Sequence, residues 1–124
     1  MNELLKAVVE ADDAPVVICD MEHTIVYMNA AAVKRYAKSG GEKLIGKSIF
    51  DCHNPHSKEI ILSVIERFRS EPDLNKVYTY TKNWDGEDTD VYIVALKNDE
   101  GGLIGYYEKH ESRLHEKDTK PLEI

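Results

Sequence analysis

Two hydrophobic periods alternate along the chain, and each change of period marks an element. Near the start, "NELLKAVVEADD" places Leu4, Leu5, Val8 and Val9 at i, i+1, i+4 and i+5. That is a narrow apolar stripe on a helix of about three turns. So short a helix is marginal alone in water and must dock on something. After Pro15, "VVICD" is a continuous apolar run rich in β-branched residues and reads as a buried strand. A turn follows, then a second strand over Thr24 to Met28, and the short separation predicts an antiparallel hairpin. Asn29 suits an N-cap, because its side-chain oxygen accepts from the free amides of the next turn. "AAAVKRYAK" continues as a short helix that Gly40–Gly41 ends.

"EKLIGKSIFD" is a mixed linker with Leu44, Ile45, Ile49 and Phe50 as buried anchors. Asn54–Pro55 starts a long helix: an N-cap residue precedes a proline at the first helical position, where its missing N–H costs nothing. The helix runs to about Arg69 with Ile60, Ile61, Val64, Ile65 and Phe68 on one broad face. "SEPDLN" breaks it, and the pattern then turns to alternation. "VYTYT", "TDVYIVALK" and "LIGYYEKH" are three strands, joined by tight turns at "DG" and "NDEGG". The order predicts an α+β fold: a five-stranded antiparallel sheet with helices on one face, preceded by the amphipathic N-terminal helix. The domain limits are 1–11 for that helix, 12–111 for the sheet-and-helix body, and 112–124 for a charged tail without apolar period. In "VYIVAL" both faces are apolar, whereas a sheet with one wet face alternates apolar with polar. Something must cover the second face, and the N-terminal helix or a second subunit is the available candidate.

Composition narrows the function. The chain has 124 residues, 42% hydrophobic and 31% charged, which is ordinary for one globular domain. A formal net charge of −7 argues against nucleic-acid backbones and anionic membrane surfaces as partners. No stretch reaches the length of a membrane helix, and acids stand near the N-terminus where a signal peptide carries bases. The expected setting is cytoplasmic. The two cysteines, Cys19 and Cys52, sit in different contexts and suggest no disulfide framework.

In series, these segments resemble a PAS domain. "APVVICDMEHTIVYMNAAA" is similar to that family's opening hairpin and Asn-x-Ala helix start, here Asn29 and Ala31. "LIGKSIFD" looks like its leucine-(isoleucine/valine)-glycine-(lysine/arginine) linker, and "DGEDTDVYIVALKNDEGGLIGYYEKHE" resembles its terminal hairpin. The resemblance spans roughly residues 12–111. Within it, "CHNPHS" is similar to a subgroup with a Cys-His-x-Pro segment before the long helix. The resemblance implies a sensory fold enclosing a small cavity and a signal-transduction role.

The Cys52, His53 and His56 stretch is the candidate site. With Pro55 as first helical residue, His56 lies four positions before Ile60 and eight before Val64, and so leads the apolar stripe. In a PAS-like arrangement His56, His53, Ile60 and Val64 would line the cavity. Haem is one cofactor the family uses, and imidazole from His56 or His53 would ligate its iron. The plainer alternative is a helix entrance that uses polar residues. Zinc is weaker still, since Cys52, His53 and His56 offer at most three ligands. A redox role for Cys52 has a helix N-terminus nearby but no resolving cysteine.

His23 is expected in a solvated turn, His110 and His115 at the charged end, and Trp84 at a hairpin end. Tyr78, Tyr80, Tyr92, Tyr106 and Tyr107 are read mostly as sheet pairs. Neither a nucleophile-base-orienter set nor a glycine-rich phosphate loop stands out, so the chain is not read as an enzyme. The expected function is a stand-alone sensory module that binds a small ligand or cofactor, forms a homodimer and acts on a downstream signalling protein. A haem-based gas or redox sensor, a purely structural dimerisation domain and a small ligand-binding enzyme are the alternatives.

Overall fold

A computed structural model of the chain describes residues 2–114 and 122. Helix α1 (Glu3–Glu10) is followed by the hairpin β1 (Val16–Asp20) and β2 (Ile25–Met28) and by α2 (Ala30–Arg35). Three 3₁₀ turns, Ala37–Ser39, Gly41–Leu44 and Ile49–Cys52, lead to α3 (Pro55–Ser70). Strands β3 (Lys76–Trp84), β4 (Glu87–Lys97) and β5 (Leu103–Ser112) complete the chain of elements. The five strands form one antiparallel sheet in the order β2-β1-β5-β4-β3, so the last strand is central. None of the helices is long and apolar enough to cross a membrane, among the described residues.

The local chemistry is largely as the sequence implies. Asn29 Oδ1 accepts from Ala32 N as an N-cap. Asn54 does the same for Ser57 N, with Pro55 in the first turn of α3. The β3–β4 turn puts Asp85 (φ 50) and Gly86 (φ 85) in left-handed backbone, which a two-residue hairpin favours because it matches the strand twist. Gly105 answers a different need. A Cβ there would lie 2.5 Å from the Cys19 carbonyl oxygen, so β1 and β5 approach only because the side chain is missing.

The core lies between the inner sheet face and α3. Val17 and Cys19 from β1, Ile93 from β4 and Tyr106 from β5 meet Ile61, Val64, Ile65 and Phe68 from α3. Leu44 and Ile49 anchor the linker as expected, but Ile45 is 42% exposed. The turn ends at Leu44, and Ile45 begins an extended segment that faces outward.

Helix α1 buries none of its residues within the single chain. Leu4, Leu5 and Val8 are 76%, 55% and 65% exposed, and of the stripe only Val9 is half-buried among the described residues. Its C-terminal end is held by polar bonds instead. Asn29, fully buried, donates through Nδ2 to the carbonyls of Val9, Asp12 and Ala14. Glu10 accepts from Tyr27 Oη and Ala30 N. The outer sheet face is half-buried by its own side chains. Tyr78 packs on Tyr92 at 5.5 Å between ring centroids, and Lys76 Nζ lies 4.2 Å above the Tyr92 ring.

Candidate functional site

Alternation along β5 sends Tyr106, Glu108 and His110 into the interior, where all three are buried. Their neighbours across the sheet are Cys19, Val17 and Val91. A carboxylate at the centre of a sheet is costly to bury unless it is paired and hydrogen-bonded. Glu108 meets that requirement. Its Oε1 accepts from Tyr36 Oη at 2.9 Å and from His110 Nε2 at 2.7 Å, and its Oε2 faces His53 Nε2 at 3.2 Å. Among the described residues no buried side-chain nitrogen or oxygen lacks a partner.

Donor and acceptor chemistry assigns the protons. His53 Nδ1 lies 2.8 Å from the Ile49 carbonyl, which only accepts, and its Nε2 faces the Glu108 carboxylate. Both ring nitrogens therefore carry hydrogen, and His53 is an imidazolium paired with an ionised Glu108. His110 differs, because its Nδ1 faces Arg35 Nη1 at 3.4 Å, a group that only donates. Its proton sits on Nε2, toward Glu108. Burial opposes charge on His53, but hydrogen bonds with Cys52 and Glu108 and the carboxylate charge outweigh it and lift the ring to about 10. Burial likewise opposes ionisation of Glu108, yet hydrogen bonds from His110 and His53, with the His53 charge, hold it well below the usual carboxylate range. Burial pushes the Tyr36 hydroxyl up, with the Glu108 charge adding to it, so it stays a donor.

The sequence-derived candidates separate here. His53 ends the 3₁₀ turn in extended backbone (φ −125, ψ 149), and its side chain is 6% exposed. Helix α3 begins beyond it, and His56 points to solvent instead of leading the stripe. The buried stripe begins one turn later: Ile60 is half-buried and Val64 is 5% exposed. Cys52 Sγ donates to the Ile49 carbonyl at 3.1 Å and lies 3.4 Å from His53 Nδ1. The structure thus brings a thiol, an imidazole ring and a carboxylate side by side, with Cys52 and Glu108 on opposite nitrogens of His53. His23, expected in solvent, is held by Tyr106 Oη at 2.8 Å and stacks on Phe50 at 4.8 Å. Its backbone is left-handed (φ 66), and burial draws its ring below the usual value, with the Asp20 charge opposing.

His110 is a central part of the cluster and not a residue of the charged end. Trp84, at the end of its hairpin as expected, packs on His110 with Arg35 4.2 Å and Lys82 4.5 Å from its ring centroid. His115 lies outside the described residues. Glu108 and His110 share the parity of Tyr106 and of the apolar β4 positions Val91 and Ile93. Extending that period through "YEKH" was the signal that places them inside.

Beside the cluster, a narrow crevice is walled by Val17, Ile25, Met28, Leu44 and Ile49, with Tyr36, Cys52 and His53. No part of it is wide enough for a water molecule, and it falls below the usual range of ligand pockets. Haem does not fit these residues as arranged: the space is too small, both His53 nitrogens are engaged and His56 faces out. Among the described residues no three His, Cys, Asp or Glu side chains are grouped to hold a metal ion.

A family model described as "PAS fold" matches residues 9–109. No curated protein sequence matches. Among solved structures the chain is similar to a C-terminal domain from Streptococcus mutans at 16% identity and TM-score 0.71, over 89% of this chain and 83% of that one. The PAS domain of BvgS from Bordetella pertussis is similar at 15% identity and TM-score 0.65, over 89% and 84%. The Aer2 receptor of Vibrio cholerae, described as a dual PAS-heme oxygen sensor, is similar at 19% identity and TM-score 0.54, over 81% and 94%. At these identities the likeness is one of fold.

Proposed function

The chain belongs to the PAS-fold family, and on that premise we propose that it is a sensory module that reads a small ligand or cofactor inside and signals through protein–protein contact. One observation carries this reading. Glu108, the buried charge of the interior cluster, is followed on β5 by Lys109, whose Nζ is 2.9 Å from Asp12 Oδ2. Asp12 lies just past α1, so a change at the interior cluster is one residue away from the segment that presents the exposed Leu4, Leu5 and Val8 stripe. A second copy of the chain, and then a downstream signalling protein, are the proposed recipients of that stripe and of the outer sheet face. Sedimentation tests the output. The full chain is expected to run as a dimer at micromolar concentration, and deletion of residues 1–11 as a monomer or aggregate. A monomeric full chain would remove the proposed route.

Haem as the ligand is a second reading, favoured by the entry of His53 into the crevice lining and by the likeness to a PAS-heme sensor. It requires the crevice to open and His53 or His56, beside Ile60 and Val64, to take the iron. A visible spectrum of protein from its native host, and haem titration of the apoprotein, test it directly. The reading expects a Soret band that His53→Ala or His56→Ala weakens. An unchanged spectrum in the double substitution would leave the stretch as a helix entrance.

A further inference from the structure

The two cysteines occupy contrasting surroundings. Cys19 on β1 is 1% exposed, and burial, reinforced by the Glu108 and Asp20 charges and opposed by a Tyr106 hydrogen bond, pushes its thiol up to about 12. Cys52 is only half-buried and lines the crevice. Its sulfur is 3.4 Å from His53 Nδ1, and the opposite ring nitrogen is 3.2 Å from Glu108. A nucleophile in reach of an imidazole that a carboxylate orients is the arrangement that activates sulfur nucleophiles. Here the ring is fixed at both nitrogens, by the Ile49 carbonyl and by Glu108, so it cannot swing away from the sulfur. A sulfur that attacks an electrophile gives up its proton and passes through developing negative charge. A fixed imidazolium beside it stabilises that charge without reorganising during the reaction.

We propose that Cys52 is an oxidation site for small hydroperoxides. The Cys52 sulfur attacks one peroxide oxygen; an S–O bond forms as the O–O bond breaks. The leaving oxygen takes the thiol proton, so hydrogen peroxide yields Cys52 sulfenic acid and water. Sulfur loses two electrons and the peroxide gains them. Cys52 is partly exposed, so the oxidant would approach from the solvent side of the crevice. The added oxygen displaces the sulfur's contact with the Ile49 carbonyl, the same atom that anchors His53 ahead of α3. This inference goes beyond the ligand reading and does not depend on it.

The experiment treats the full chain with dilute hydrogen peroxide near neutral pH, traps sulfenic acid with dimedone and locates it by peptide mass. Cys52 is expected to label while Cys19 does not. The native chain should label at Cys52 faster than the urea-unfolded chain, although folding partly buries the sulfur. His53→Gln should slow native labelling about tenfold or more while leaving the unfolded rate unchanged. Native labelling no faster than unfolded would overturn the proposal, as would an unchanged rate in a folded His53→Gln. If His53→Gln loses its circular dichroism, the native-to-unfolded comparison in the unsubstituted chain decides.

Discussion

Replacing Glu108 with glutamine would test whether the interior holds a true ion pair. Glutamine keeps the volume and one acceptor oxygen, which can still serve Tyr36 and His110 at 2.9 and 2.7 Å. Its amide nitrogen takes the place of Oε2 and turns a donor toward His53 Nε2, itself a donor in the native pair. The ring must then lose that proton and remain neutral, with Nδ1–H on the Ile49 carbonyl. Breaking a buried pair costs about 3–5 kcal/mol, and neutralisation of the ring should bring the cost to about 3 kcal/mol. For a domain of this size that is a fall of roughly 12 °C in Tm.

The pH dependence fixes the sign. His53 is raised from 6.5 to about 10, so its contribution is complete below 6.5, declines as pH rises and is gone above about 10. Glu108 is depressed from 4.5, so its contribution is present above 4.5 and is lost as pH falls. The gap between the two proteins should be widest between 4.5 and 6.5 and close toward 10. Thermal unfolding across that range, with histidine ring NMR to follow the His53 proton, measures both parts. A gap that stays constant with pH, or equal Tm values near 6.5, would refute the assignment of charge.

Asn29→Ala removes a fully buried side chain that caps α2 and bonds to the backbone at Val9, Asp12, Ala14 and Val16. It should cost about 2–4 kcal/mol in urea titration and speed proteolysis near residues 9–14. Gly105→Ala drives a Cβ to 2.5 Å from the Cys19 carbonyl oxygen, and it should lower stability by about 1–3 kcal/mol with early amide exchange along β1. Val64→Asp places an unpaired carboxylate at a position 5% exposed, and a melting curve close to that of the unsubstituted chain would show that the face of α3 has been misread.

What could be read in advance follows from how local each signal is. The caps at Asn29 and Asn54, the Asp85–Gly86 turn and the α3 stripe depend on residues within a few positions, and all appear where expected. Ile45 and His56 were placed inside because apolar character and helical phase were extended one residue or one turn too far. The charge cluster was less legible for a different reason. His53, Tyr36, Glu108 and His110 are brought together only by the strand order, with β5 between β1 and β4. The alternation that carries Tyr106 inward also carries Glu108 and His110, but their polarity suggested a strand end. Polar residues at inward positions break the binary pattern, and functional sites are where such breaks concentrate.

The central place of β5 also governs how this chain can fold. The strand that joins the β1–β2 hairpin to the β3–β4 hairpin is made after all four of them, and Val16 must wait for Lys109. Until then each hairpin is a two-stranded piece, marginal by itself, with an open edge. Closing the sheet demands long-range pairing, which is slow because loop entropy is spent before contacts form. The same step carries Glu108 out of water, so β5 enters only if Tyr36 and His53 are already set to receive its carboxylate. Helical middle and sheet are therefore expected to form in one cooperative transition, and a ribosome-bound chain lacking β5 should remain open to proteases and chaperones.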